Sequence, residues 1–465
     1  MELVFLPDLM CYHTLHQKGQ LYILPYIFKE QIMSKSHTFL SILVILISTF
    51  LSSCDKDYGN LNNPTVDSYL DNANQSQLNN LVAGTESAMR NNLGLYLDDI
   101  GILGRELYRF SNSDPRYYTD LLGANDAQLQ NTGFYIVNVW ASRYRVIKNC
   151  NVLIEAANAS TLITDNERNG YVGFAKTIKA YQLLLVLNLT YKNGIRVDVA
   201  DPNHLGPIVG YDEALTKIAE LLDEASAQMI SAKISFQLSS GFSGFDDAAG
   251  LIKFNKALSA RVAVYQKNWD KALTDLKSSF YNLSTNFNTG VFNVFSTGSG
   301  DQLNPAFFPQ NSSGETRVAH PGFSREIDSS DDRIGKATLR AMPISSSGLT
   351  SDRDVWVFKS NTAAIPIIRN EELILIYAEA NIQKSNFSEA LLAINNIRNG
   401  HRLGNYTGAM TSSALIDELL VQRRYSLFSE GHRWLDLRRY NLLNTLPIDR
   451  PNDDIWSSFP IPSTE

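Results

Sequence analysis

After residue 68, apolar positions recur at helical spacing along most of the chain, and that spacing fails in two windows, 94–131 and 283–366. Ser76–Leu93 puts Leu78, Leu81, Val82 and Met89 on one side, which predicts a first amphipathic helix. Trp140, Tyr144, Ile147 and Asn151 then fall at i, i+4, i+7 and i+11. Tyr211–Ile230 spaces Leu215, Ile218, Leu222, Ala225 and Met229 by threes and fours, and Ala248–Tyr265 leads through the turn Lys267-Asn268 into Trp269–Lys277. In Arg369–Gln383, the residues Leu373, Ile376, Tyr377 and Ala380 mark one helical face. Ala390, Leu391, Ile394 and Ile397 repeat it after Lys384-Ser385-Asn386, so the two helices should lie antiparallel. A third helix from about Ser412 has Asp417 and Glu418 early and Arg423 and Arg424 late, which suits its dipole, and Gly431 is a natural stop. Such hairpins cannot cover their own apolar stripe. The pattern therefore predicts a mainly α fold of stacked tetratricopeptide-like hairpins, about four in all, with long irregular loop regions.

The two windows are irregular in different ways. In the first, Tyr96, Tyr108, Tyr117 and Tyr118 stand among Asp, Asn, Ser and Gly. In the second, Phe292, Phe295, Phe307, Phe308, Phe323, Trp356 and Phe358 are scattered through dense Gly, Ser, Asn and Pro. A loop of that length inside a compact protein is usually functional.

The net charge of −7 and the absence of a basic stripe argue against nucleic acid as a partner. Three widely spaced cysteines, Cys11, Cys54 and Cys150, offer neither a disulfide framework nor a zinc site. Cys150 lies in a helical pattern and reads as a small buried hydrophobe. Cys54 follows the basic flank Lys35 and His37, the apolar run Phe39–Leu51 and the small residues Ser52-Ser53. That run is shorter than the ~20 residues of a membrane span, so residues 33–53 read as a bacterial lipoprotein signal peptide. Cys54 would then become a lipid attachment site carrying diacylglycerol and an N-acyl chain of the palmitate type, enough to anchor a soluble domain. Residues 1–32 fit no such leader and are expected to be an over-extended reading frame, with Met33 as the initiator. Residues 54–67 are polar and Asn-rich, a flexible tether, and 68–465 is expected to form a single domain.

Three separated segments carry a resemblance: Arg369-Asn-Glu-Glu-Leu-Ile-Leu-Ile-Tyr-Ala-Glu-Ala380, then Ala390…Ile394-Asn395…Ile397-Arg398, then Glu430-Gly-His-Arg-Trp-Leu-Asp-Leu-Arg438. In this order they resemble the C-terminal signature of the SusD/RagB family, surface lipoproteins that capture nutrients for a SusC-like, TonB-dependent outer-membrane transporter. The chain departs from the family at Gln422-Arg423-Arg424-Tyr425-Ser426-Leu427, where an acidic residue usually opens the segment and another precedes the Leu, which should weaken an ion pair. It departs again at Ile195-Arg196-Val197, where a Pro is common. The resemblance implies that Val172–Tyr191 partners the Trp140 helix and that Ala257…Ala272 is a further repeat. It also implies that Asp55-Lys56-Asp57 is a surface-export tether. Asp331-Asp332-Arg333 and the closing Phe459-Pro-Ile-Pro are similar to family features.

The resemblance implies a cell-surface protein of the outer membrane, anchored by lipid, that binds an oligosaccharide and lids its transporter without catalysis. Permanent complexes of that kind bury more than ~2,000 Å². A sugar presents a C–H face that packs on an aromatic plane, so Tyr108, Tyr117, Tyr118, Phe307, Phe308 and Trp356 are the candidate ligand contacts, core packing being the alternative for each. The cluster Glu430, His432, Arg433, Asp436, Arg438 and Arg439 admits an acid/base reading, but buried charges must be partnered and a structural network explains it better. Asp328, Asp331 and Asp332 could offer oxygen to calcium, yet they lack ordered spacing, so no metal or cofactor is expected. The rivals are a RagB-like peptide carrier, a surface glycoside hydrolase, and a tetratricopeptide scaffold that binds only protein.

Overall fold

Polar residues at the head of several apolar stripes cap the helices that follow. Asn74 and Gln77 form a reciprocal capping box at 3.0 and 2.9 Å that opens α1 (Gln75–Ala88). In the computed structural model, which describes residues 69–465, α1 ends sooner than its apolar pattern suggests. Asn92 turns the chain through the left-handed region (φ 53°), and α2 (Leu93–Leu103) runs into the window expected to be irregular. Ten of its eleven residues are buried, so α2 has no polar face and no amphipathic period to reveal it.

The scaffold continues with α3 (Phe134–Ala159), α4 (Asp165–Thr190), α5 (Tyr211–Met229), α6 (Ala248–Tyr265) and α7 (Trp269–Ser278). Each packs on the next in chain order, and α1 leans on α3. The Thr164–Glu167 capping box starts α4 seven residues before the expected Val172. The C-terminal hairpin is α9 (Asn370–Gln383) on α10 (Phe387–Gly400), with α11 (Ser412–Ser426) and then α12 (Arg433–Arg439). The mainly α, tetratricopeptide-like reading holds.

The second window is not a free loop. It contains β4 (Gly290–Asn293), β5 (Thr316–Ala319), the short α8 (Pro321–Glu326), β6 (Ala337–Ser346), β7 (Leu349–Val355) and β8 (Ile365–Arg369). The first window supplies β1 (Leu107–Phe110), and the antiparallel sheet runs β1-β5-β7-β6. Leu107 pairs with Ala319 and Phe110 with Thr316, so the two irregular windows meet. Every residue of β1 and β5 is buried, which removes the period-two alternation that would betray a strand. Small ribbons β4-β8 and β2-β3 (Ile195–Arg196 with Ile208–Val209) complete the strands.

The Glu430–Arg439 cluster is a paired network. Arg369 holds Glu430 at 2.8 and 3.0 Å and also pairs with Glu371. Arg261 grips Glu372 at 2.6 Å, Arg439 joins Glu379 and Asp436 at 2.7 and 2.8 Å, and Arg423 reaches Asp436 at 2.7 Å. Where the sequence departs from the family pattern, Arg333 keeps its ion pair through Asp331 (2.6 Å) and bonds Gln422 (2.7 Å) and Ser426 (2.8 Å). Cys150 is fully buried, as expected, and burial pushes its thiol up to about 12. Cys54, the leader and the tether lie outside the described residues. Among the described residues, no helix is long and apolar enough to cross a membrane.

His432 stands inside this network. Burial, helped by the charges of Arg261 and Arg423, holds its imidazole down at about 4 against the pull of Glu372. An unfolded chain takes that proton near ~6.5, so stability is lost as pH falls from about 6.5 towards 4. Glu371 and Glu372, held low by Arg369 and Arg261, stay ionised through the upper part of that range. Thermal melts between pH 6.5 and 5 should therefore fall less for His432→Gln than for the wild type; equal falls would remove His432 as the sensitive group.

Candidate functional site

The sheet, α2 and α3 enclose a cleft of about 710 Å³. One stripe of α3 forms a wall: Phe134, Asn138, Ala141 and Arg145 follow at i, i+4, i+7 and i+11. Opposite lies the α1–α2 turn with Arg90, Asn91 and Asn92. Arg143, buried beneath α3, fastens this turn by donating to the carbonyl oxygens of Met89 (2.8 Å) and Asn91, and burial pulls its guanidinium down to about 10. Asn92 donates to the carbonyl of Asn138 at 3.2 Å and so ties the turn to the wall.

The floor is a stack of rings and guanidiniums. Arg109 from β1 lies 4.3 Å from the Phe308 ring centre and 5.3 Å from that of Tyr117, and Arg317 from β5 stands 5.0 Å from Phe308. Tyr117 meets Phe134 edge-on at 5.0 Å, and burial with the charge of Asp98 pushes its phenol up to about 12. Asp98 gives both carboxylate oxygens to Arg317, one at 2.7 Å, while Glu315 holds Arg109 at 2.6 Å from outside the cleft. Neighbouring Asp99 is fully buried with both oxygens unpartnered, and burial and the charge of Asp98 raise it well above the usual carboxylate range.

The six aromatic candidates divide. Tyr117 and Phe308 line this cleft, half-buried. Trp356 lines a second one of about 520 Å³ with Phe287 and Phe292, and Phe307 packs behind it at 6.1 Å. One expectation needs correction, and another candidate lies away from both clefts. Tyr108 is 3% exposed and packs between Phe110 and His320, because its strand is buried on both faces. Tyr118 is half-buried, lines neither cleft, and offers its carbonyl to Arg450 at 2.6 Å. The three candidate calcium aspartates also go separate ways: Asp328 to Ser330, Asp331 to Arg333, Asp332 to His401. Among the described residues, no three His, Cys, Asp or Glu gather as a metal site.

The sequence model of the SusD family matches residues 327–455. A SusD superfamily protein from Bacteroides vulgatus is similar over 84% of this chain and 96% of its own, at 18% identity and TM-score 0.63. Surface glycan-binding protein A from Bacteroides thetaiotaomicron is similar over 85% and 97%, at 14% identity and TM-score 0.63. A SusD-like carbohydrate binding protein from Bacteroides vulgatus covers 79% and 83%, at 16% identity and TM-score 0.62. The chain has the SusD fold. No curated protein sequence matches it.

In this SusD fold the cleft depends on residues the apolar pattern does not select. Phe134, Asn138 and Arg145 share the 3.6-residue period of Trp140 and Tyr144 but mix aromatic, amide and guanidinium. Gly94 is equally necessary, because a Cβ there would stand 2.8 Å from Cβ of Pro305 across the cleft wall. Gly94→Ala should cost about 1–3 kcal/mol through this overlap, read as a lower denaturant midpoint at unchanged slope; an unchanged midpoint would mean the Pro305 loop yields freely.

Proposed function

We propose that this chain is a lipid-anchored surface protein that holds an oligosaccharide in the first cleft. It then delivers the sugar to a SusC-like, TonB-dependent transporter of the outer membrane. The observation that carries this reading is the cleft's floor and walls, where Tyr117, Phe134 and Phe308 present ring surface beside the amides of Asn91 and Asn138. A sugar's C–H face and its ring of hydroxyls need that pairing. The names of the structural neighbours, a surface glycan-binding protein and a carbohydrate binding protein, support the same ligand class.

Binding without catalysis fits the charges. Asp98, the lining carboxylate, is committed to Arg317, and the acidic residues of the C-terminal cluster are each held by a guanidinium. Neither set leaves an acid and a base free to flank a glycosidic bond.

Calorimetry against a panel of oligosaccharides and a peptide pool tests the ligand. Binding to a glycan should weaken about tenfold in Tyr117→Ala, from loss of one stacking face. Heat from peptides alone would favour the RagB-like carrier instead. Cys54 serves in this reading as the lipid attachment site, with residues 33–53 as the leader removed. Metabolic labelling with palmitate should mark the wild type and not Cys54→Ser, which should leave the membrane fraction; a labelled Cys54→Ser protein would end the anchor proposal.

A further inference from the structure

Four arginines line the first cleft, Arg90, Arg109, Arg145 and Arg317, against a single lining carboxylate, Asp98. This concentration sits in a protein whose net charge is −7. Three of the four are committed: Arg90 to Asp301 at 2.6 Å, Arg109 to Glu315 at 2.6 Å, and Arg317 to Asp98. Arg145 is exposed on the wall and has no ion-pair or hydrogen-bond partner among the described residues. Lys148, one turn further along α3 and lining the neighbouring groove rather than this cleft, is also exposed and also unpartnered among them. Like charges at i and i+3 repel by a few tenths of a kcal/mol on an isolated helix, and no carboxylate of the α3 wall relieves them. Arg317 keeps a further buried nitrogen, Nη1, without an acceptor, and the cleft's four guanidiniums meet three carboxylates, Asp301, Glu315 and Asp98.

We infer that the sugar held here is an acidic one, an oligosaccharide bearing a carboxylate or sulfate ester that Arg145 grips at the cleft wall. The inference rests on the glycan reading above and narrows it. Asn138, one turn before Arg145 on the same stripe, is placed to hold a neighbouring hydroxyl, and Phe134 and Tyr117 supply the ring faces beside it. A planar guanidinium suits either anion because it offers two parallel donors.

The test uses the whole mature chain and three sets of probes: oligogalacturonides, the same oligosaccharides after carboxyl reduction, and chondroitin sulfate fragments, set beside neutral xylan and mannan oligosaccharides. A carboxylated or sulfated probe should bind, and its affinity should fall as salt is raised. Carboxyl reduction or Arg145→Gln should each weaken binding of a carboxylated probe about tenfold or more, the range of a charge-assisted hydrogen bond. The salt dependence should shrink in Arg145→Gln, whereas Lys253→Gln, exposed on α6 outside the cleft, should leave it unchanged. Binding of sulfated but not carboxylated probes would identify the anion as sulfate. If neutral xylan or mannan oligosaccharides bind while the acidic probes do not, or if Arg145→Gln is without effect, this inference falls and the glycan reading stands. Silence from every sugar, acidic and neutral, would remove both.

Discussion

The C-terminal half depends on one constraint: α9 is a buried helix that carries three carboxylates. Glu371, Glu372 and Glu379 are each at most 2% exposed, so each must meet a cation within the core. The cations come from three different places, Arg369 at the end of β8, Arg261 in α6 and Arg439 in α12. Removing one partner of such a pair typically costs about 3–5 kcal/mol, because the other charge stays buried. α9 can therefore occupy its place only when the repeat before it, the ribbon that enters it and the last helix are all docked. The dense charge that suggested chemistry in the sequence fixes geometry instead.

The cleft inherits that rigidity without sharing any of those residues. Its floor comes from β1 and β5, its walls from α2, α3 and the α1–α2 turn, and each of these is backed by apolar packing. Polar chemistry stands at the surface of a fixed frame, the usual division between scaffold and binding residues. α3 serves two sides at once. Its Phe134–Arg145 stripe faces the main cleft, while Trp140, Tyr144 and Lys148 line a groove of about 480 Å³ one face over.

The helical hairpins were legible where a helix has one buried stripe and one wet one, the condition under which a 3.6-residue period is visible. Leu215 to Met229 in α5 and Ala390 to Ile397 in α10 are examples. The same test passed over α2, β1 and β5, which are buried all round and show no alternation. It could not foresee that the two irregular windows pair with each other, since Leu107 and Ala319 share no local signal. Of the ligand contacts expected from aromatic character, Tyr117 and Phe308 lie in the cleft, and Tyr108 was misplaced because its hidden strand turned it inward. Arg145 escaped notice since a lone cation on a helix is ordinary until the carboxylates around it are seen to be taken.

The pairing of β1 with β5 has a consequence for how the protein is made. Strand β1 emerges early in synthesis, yet its hydrogen-bonding partner appears only with residues 316–319, after five long helices have already been produced. Closing so distant a contact is slow and comes late. An interrupted chain can thus stack its first hairpins and look well folded while having no floor on which a ring could rest. The floor of the cleft is therefore complete only once the chain has been made past residue 319.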